Sequence, residues 1–184
     1  TSDIDYKGAT IPAGAAIGGE KTTNDNGIAS WDLLPYGTYT LSELTAPDGY
    51  FVTTKDYSIV IDGNNTLNVT KDIVNFPLGS IEINKTNISN HSPLKGAQFE
   101  IETTEEIEYN GQIYPQNTVI KTITTDENGT AYIDNLPYAK YIVREINAPD
   151  GFIKDSTPKE ITINNTNVNP TIDFENTPYG KIII

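Results

Sequence analysis

Apolar side chains recur at every second position in short runs along this chain. Tyr39, Leu41 and Glu43 share one parity of the run Tyr39-Thr40-Leu41-Ser42-Glu43, and Tyr141, Val143 and Glu145 share the same parity of Tyr141-Ile142-Val143-Arg144-Glu145. Successive side chains of a strand point to opposite faces, so each run predicts a strand whose apolar face ends in a carboxyl group. Both runs stop at an Ala-Pro-Asp-Gly turn, where Pro presets φ and Gly can take φ > 0. Burying an unpartnered carboxylate costs several kcal/mol, so an inward Glu is expected to be protonated or strongly partnered.

The same reading places strands at Ile81-Glu82-Ile83-Asn84-Lys85 and at Ala97-Gln98-Phe99-Glu100-Ile101, with Ala97, Phe99 and Ile101 inward. Two more run from Lys159 to Asn164 and from Pro170 to Asn176. Thr118 to Thr124 and Thr130 to Ile133 flank Asp126-Glu127-Asn128-Gly129, a turn sequence that predicts a hairpin. No segment sustains a helical period, and short strands at this spacing predict an all-β sandwich.

The chain also repeats itself, with a period of about 100 residues, too long for a solenoid unit and right for a β-sandwich domain. Ile4-Asp5-Tyr6-Lys7-Gly8 matches Ile107-Glu108-Tyr109-Asn110-Gly111, Leu34-Pro35-Tyr36 matches Leu136-Pro137-Tyr138, and Val74-Asn75-Phe76-Pro77 matches Glu175-Asn176-Thr177-Pro178. Residues 1–78 are therefore expected to form a domain lacking its opening strands, since Thr1 aligns near Thr104. Residues 79–178 form a complete domain, and 179–184 start a third repeat or serve as a strand-exchange tail, because Gly180 to Ile184 repeats Gly79 to Ile83. The connection Asn75 to Gly79 is too short for a flexible linker, so near-rigid stacking is expected.

Parity then singles out three polar side chains. Lys85 follows Ile81 and Ile83 on one face, Asn176 follows Ile172 and Phe174, and Glu145 follows Tyr141 and Val143. Three inward polar residues from separate strands are a constellation rather than an accident of register.

Composition narrows the function. A formal charge of −13 argues against nucleic acid, which rewards clustered Lys and Arg. No apolar run is long enough to span a bilayer, so membrane insertion is not expected, and no secretory leader stands at residue 1. The absence of Cys excludes disulfides and leaves any covalent reinforcement to other side chains.

The pattern Tyr39-x-Leu41-x-Glu43-x-x-Ala46-Pro47-x-Gly49-Tyr50 is similar to the E-box of Gram-positive pilins. The wider frame resembles the CnaB domains of bacterial adhesins: Lys85, then Lys95-Gly96-Ala97-Gln98-Phe99, Asp126 to Gly129, Leu136-Pro137 and Asn176. The resemblance covers all of 79–178 and the later part of a repeat in 1–78. It implies tandem immunoglobulin-like (CnaB, prealbumin-like) β-sandwich domains, the complete one carrying an intramolecular isopeptide bond in which Lys85 joins Asn176 and Glu145 promotes the reaction. The chemistry is reasonable from first principles, because an apolar core favours the neutral, nucleophilic form of an amine and folding supplies the proximity.

In the first repeat Glu43 and Asn75 match their counterparts, but the strand that should carry the lysine is absent. Lys7 aligns with Asn110, and Lys21, Lys55 and Lys71 stand elsewhere, so Asn75 is expected to remain an unmodified carboxamide and Glu43 to have no cross-link to promote. Residues 180–184 of another chain could add a strand to this repeat by noncovalent head-to-tail exchange. The expected function is a structural stalk module of an extracellular, cell-wall-anchored Gram-positive adhesin or pilin, with neighbouring repeats of the parent chain as partners. The competing reading is a domain that grips a host ligand through its loops. Enzymatic turnover is not expected, because the chain has a single His, His91, and no Cys; cross-linking would occur once per molecule.

Several motifs take their plainer meaning. Asp126 to Gly129 lacks the downstream carboxylates of a calcium loop and reads as a turn, and no metal or cofactor is expected. Tyr114-Pro115-Gln116-Asn117 resembles a pilin acceptor motif, but Gln116 stands where that motif has lysine. The Asn-x-Thr triplets at Asn64, Asn68 and Asn128 are expected in a chain rich in Asn and Thr. Trp31 aligns with Ile133 and is expected in the core.

Overall fold

The structure is a computed structural model that describes residues 3–52, 56–63 and 68–183; Lys55, Asn64 and Ile184 lie outside them. No helix forms among the described residues. The strands are β1 (Ile4–Tyr6), β2 (Ala9–Ile11), β3 (Gly37–Ser42), β4 (Tyr50–Phe51), β5 (Asp56–Ile61), β6 (Phe76–Pro77), β7 (Gly79–Asn87) and β8 (Gln98–Thr103). There follow β9 (Ile107–Tyr109), β10 (Gln112–Tyr114), β11 (Val119–Thr124), β12 (Thr130–Leu136), β13 (Ala139–Asn147), β14 (Phe152–Ile153), β15 (Lys159–Ile163) and β16 (Thr171–Pro178). They fall into two compact units, Thr1–Ala46 with Val52–Val74 and Pro47–Phe51 with Asn75–Ile184.

In the larger unit two four-stranded sheets face each other, in the orders β11-β8-β13-β15 and β12-β7-β16-β14. Alternation explains the arrangement. Ile81 and Ile83 of β7, Phe99 and Ile101 of β8, Tyr141 and Val143 of β13 and Phe174 of β16 all turn into one core with no measurable exposure. Each such side chain contributes about 1.5–3 kcal/mol relative to exposure. The rings of Phe99 and Phe174, one from each sheet, meet at 4.9 Å between centroids. Most pairings are antiparallel, but β16 runs parallel to β7, with Ile172 opposite Ile83 and Phe174 opposite Lys85. The first and last long strands of the domain are thus direct neighbours.

The hairpin expected across Asp126–Gly129 is not a hairpin. β11 pairs with β8 and β12 pairs with β7, so the turn carries the chain from one sheet to the other. Both strands offer apolar residues to the same core, Ile120 and Ile123 from one side and Ala131 and Ile133 from the other, and that requires a crossing. Thr125 pins it: its buried hydroxyl donates to Leu94 O at 2.7 Å and accepts from Ala97 N–H at 3.0 Å. Asp126 Oδ1 accepts the N–H groups of Asn128 and Thr130, both at 2.9 Å, and so closes the turn on itself.

The smaller unit holds the pairs β1–β2 and β3–β5. Its register repeats that of the larger one, Tyr39 lying opposite Ile59 as Tyr141 lies opposite Ile161. Tyr39 Oη donates to Pro35 O at 2.6 Å and Tyr141 Oη to Pro137 O at 2.8 Å. The β1–β2 and β9–β10 hairpins turn on Lys7-Gly8 and Asn110-Gly111, all at positive φ. The Asn-Gly pair was a legible hairpin signal that strand periodicity alone passed over. Trp31 is not the core residue its alignment with Ile133 suggested. It is partly buried, donates its indole N–H to Gly19 O at 2.9 Å and lies under Lys21, because indole carries a polar group that isoleucine lacks. No described residue of this unit is fully buried. Residues 180–183 form no strand, and Ile182 and Ile183 are exposed.

Candidate cross-linking site

Lys85, Glu145 and Asn176 meet inside the larger unit. Lys85 and Asn176 come from the adjacent parallel strands β7 and β16, one pleat apart, since Lys85 lies opposite Phe174 and Asn176 opposite Asn87. Such diagonal neighbours are within reach of a long side chain. Glu145 projects from β13 of the facing sheet, where its backbone partner is Phe99. All three are buried, with Lys85 at 0%, Asn176 at 1% and Glu145 at 3% of full exposure.

The two oxygens of Glu145 face different nitrogens. Oε2 accepts from Asn176 Nδ2 at 2.8 Å and from the main-chain N–H of Asp155 at 2.7 Å. Oε1 stands 3.6 Å from Lys85 Nζ, longer than a hydrogen bond. Lys85 Nζ, Glu145 Oε1 and Asn176 Oδ1 are buried without a hydrogen-bond partner among the described residues. Lys85 Nζ and Glu145 Oε1 face each other as an ion pair, so the unmet cost of about 1–3 kcal/mol falls on Asn176 Oδ1.

Burial pushes the Lys85 amine below its ordinary value, against the opposing pull of the Glu145 carboxyl and, more weakly, of Asp155. The Phe174 ring lies 6.0 Å from Lys85 Nζ and 4.4 Å from Lys159 Nζ, which also donates to Asp173 O at 2.6 Å. Phenylalanine rings of both sheets therefore help to dry the site, while Lys159 stands at its partly exposed rim. The lysine backbone is fixed as well. Lys85 N–H donates to Gly129 O at 2.8 Å, and Lys85 O accepts from Leu94 N–H at 2.9 Å. Gly129, at φ +72, lies so close that a Cβ would meet Lys85 O at 2.4 Å.

Parity placed Lys85, Glu145 and Asn176 on their faces, and the sandwich brings the three faces together. What strand reasoning missed are the supports: the Asp155 N–H and the close approach of Gly129. An Asp-x-Thr turn and an invisible need for glycine were their only traces in the sequence. In the other repeat Glu43 and Asn75 are each partly buried, and Lys7, Lys21 and Lys71 lie exposed against the Tyr6, Trp31 and Tyr57 rings. His91 is exposed and sits 3.5 Å from Glu175.

A family described as the SpaA prealbumin-like fold domain matches residues 4–75 and again 79–178. The chain belongs to that family. The double match makes it an all-β tandem of prealbumin-like, immunoglobulin-like domains, as the resemblance to Gram-positive surface proteins implied. Among solved structures, the TIE protein of Bacillus anthracis is similar at 25% identity and a TM-score of 0.50, over 85% of this chain and 28% of that one. The pilus 2b backbone protein of group B streptococcus shares the fold at 17% identity and a TM-score of 0.50, over 74% of this chain and 52% of that one. The full-length major pilin SpaD of Corynebacterium diphtheriae is 28% identical over 55% of this SpaA-family chain and 30% of its own length, with a TM-score of 0.45. The chain thus spans between about a quarter and a half of these proteins. No curated protein matches.

Proposed function

We propose that this SpaA-family chain is a load-bearing stalk segment of a Gram-positive cell-surface pilin or adhesin, stiffened by a self-formed isopeptide bond between Lys85 and Asn176. The observation that carries the reading is the division of labour on one buried carboxyl, Oε1 toward the amine and Oε2 on the carboxamide nitrogen. The neutral amine of Lys85 attacks Asn176 Cγ; an N–C bond forms, the bond from Cγ to Nδ2 breaks, and ammonia leaves. Glu145 carries a proton from Nζ to the departing nitrogen, so atoms and charge balance without any outside reagent. The lowered proton affinity of Lys85 supplies the nucleophile, and folding supplies the proximity.

The bond ties the two parallel strands that begin and end the domain. Tension between the chain's two ends shears β7 against β16, and the amide carries that load in place of a hydrogen-bond ladder. In this reading residues 1–78 and 79–178 act as consecutive repeats, and Asn75 stays a carboxamide. The apolar, exposed segment of residues 180–183 suits strand addition to a neighbouring repeat. Solution scattering that finds a compact monomer at every concentration would exclude such exchange between copies.

Intact-mass measurement tests the central claim. The native chain is expected to weigh about 17 Da less than its sequence, the mass of ammonia, and Glu145→Gln to show no such deficit. A native chain at full mass refutes the cross-link.

A further inference from the structure

The catalytic-looking carboxyl is held from outside the three-residue set. β15 pairs with β13 from Ala139 opposite Ile163 to Val143 opposite Lys159, and the pairing ends there. Glu145 stands one pleat further along β13, where Pro158 has no N–H to continue the ladder. In place of a strand, an Asx turn covers it: Asp155 Oδ1 accepts the N–H of Thr157 at 2.9 Å. That turn aims the main-chain N–H of Asp155 at Glu145 Oε2, 2.7 Å away. With Asn176 Nδ2 on the same oxygen, two donors fix the rotation of the carboxyl plane. Oε1 is left facing the amine of Lys85.

We propose that Asp155 is a positioning residue for the Lys85–Asn176 reaction: its side chain closes the turn, and its N–H orients Glu145 toward both nitrogens at once. The inference rests on the cross-linking reading above and adds to it the origin of the geometry. The negative charge of Asp155 is not what the reaction uses. The charged groups around the amine are Glu145 and Asp155, which favour the ammonium form, and Lys159, which disfavours it. An uncharged side chain with a turn-closing oxygen therefore serves as well as Asp, whereas a side chain without that oxygen does not.

Three variants separate these roles, each followed by intact mass at intervals after cell-free synthesis is halted and checked for folding by thermal melting. Asp155→Asn keeps the acceptor oxygen and the N–H. It is expected to lose ammonia at least as fast as the native chain, with a rate–pH profile displaced toward lower pH. Asp155→Ala loses the turn and is expected to react about tenfold more slowly, and Asp155→Pro, which also loses the N–H, about a hundredfold more slowly. Should the Pro variant fail to fold, the comparison of Asn with Ala decides. Equal rates for the native, Asn and Ala chains, or equal slowing of Asn and Ala, overturn the assignment while leaving the cross-link standing. A native chain that never loses ammonia overturns both.

Discussion

Replacing Lys85 by Met measures what the cross-link does for stability. Methionine fills nearly the same volume without an amine, so packing against Phe174 is retained while the bond becomes impossible. The bond closes a loop of about 92 residues, and chain entropy assigns that closure about 4.6 kcal/mol. At roughly 4–8 °C per kcal/mol for a domain of this size, the melting temperature is expected to fall by at least about 20 °C. Scanning calorimetry of the native and variant chains, paired with intact mass, reads both the bond and its effect. A native chain with the ammonia deficit and a variant melting within about 5 °C of it would refute the reasoning that loop closure dominates the domain's stability.

Three more expectations follow from the same structure. In Asn176→Ala the amine persists, and its folded-state affinity for protons lies below the ordinary lysine value of 10.5. Between those two values the unfolded chain binds more protons, so stability rises with pH across that window, by up to about 1.4 kcal/mol per pH unit, and levels off above it. Urea midpoints from pH 7 upward should show this slope, and the Lys85→Met/Asn176→Ala double variant should lack it; parallel curves would contradict the assignment. Gly129→Ala combines a strained φ of +72 with a Cβ 2.4 Å from Lys85 O and is expected to cost about 2–4 kcal/mol in denaturant unfolding. Tyr141→Phe deletes only the buried hydroxyl that reaches Pro137 O at 2.8 Å, and a loss near 1–2 kcal/mol is expected in the same assay. Because burial raises the Tyr141 phenol well above its usual range, difference absorbance should find it still protonated at pH 11.

The sequence by itself determined which side chains turn inward. The two-residue period of Tyr141, Val143 and Glu145, and of Ile81, Ile83 and Lys85, is a local property of extended backbone, and burial of the apolar members carries the polar one with them. The repeat, the strand positions and the inward direction of Lys85, Glu145 and Asn176 were legible for that reason. Which strands pair was not. The turn at Asp126 has the local form of a hairpin, yet β11 and β12 join opposite sheets, because a pairing partner is chosen by the core that both strands must cover. Trp31 shares a repeat position with Ile133 but not its depth, since indole needs a partner for its N–H and found Gly19 O. Asp155 reaches Glu145 only because β15 stops one pleat short of it. Periodicity is written residue by residue along the chain; the distance from a turn's N–H to a carboxyl on another strand exists only once the sheets have closed over each other.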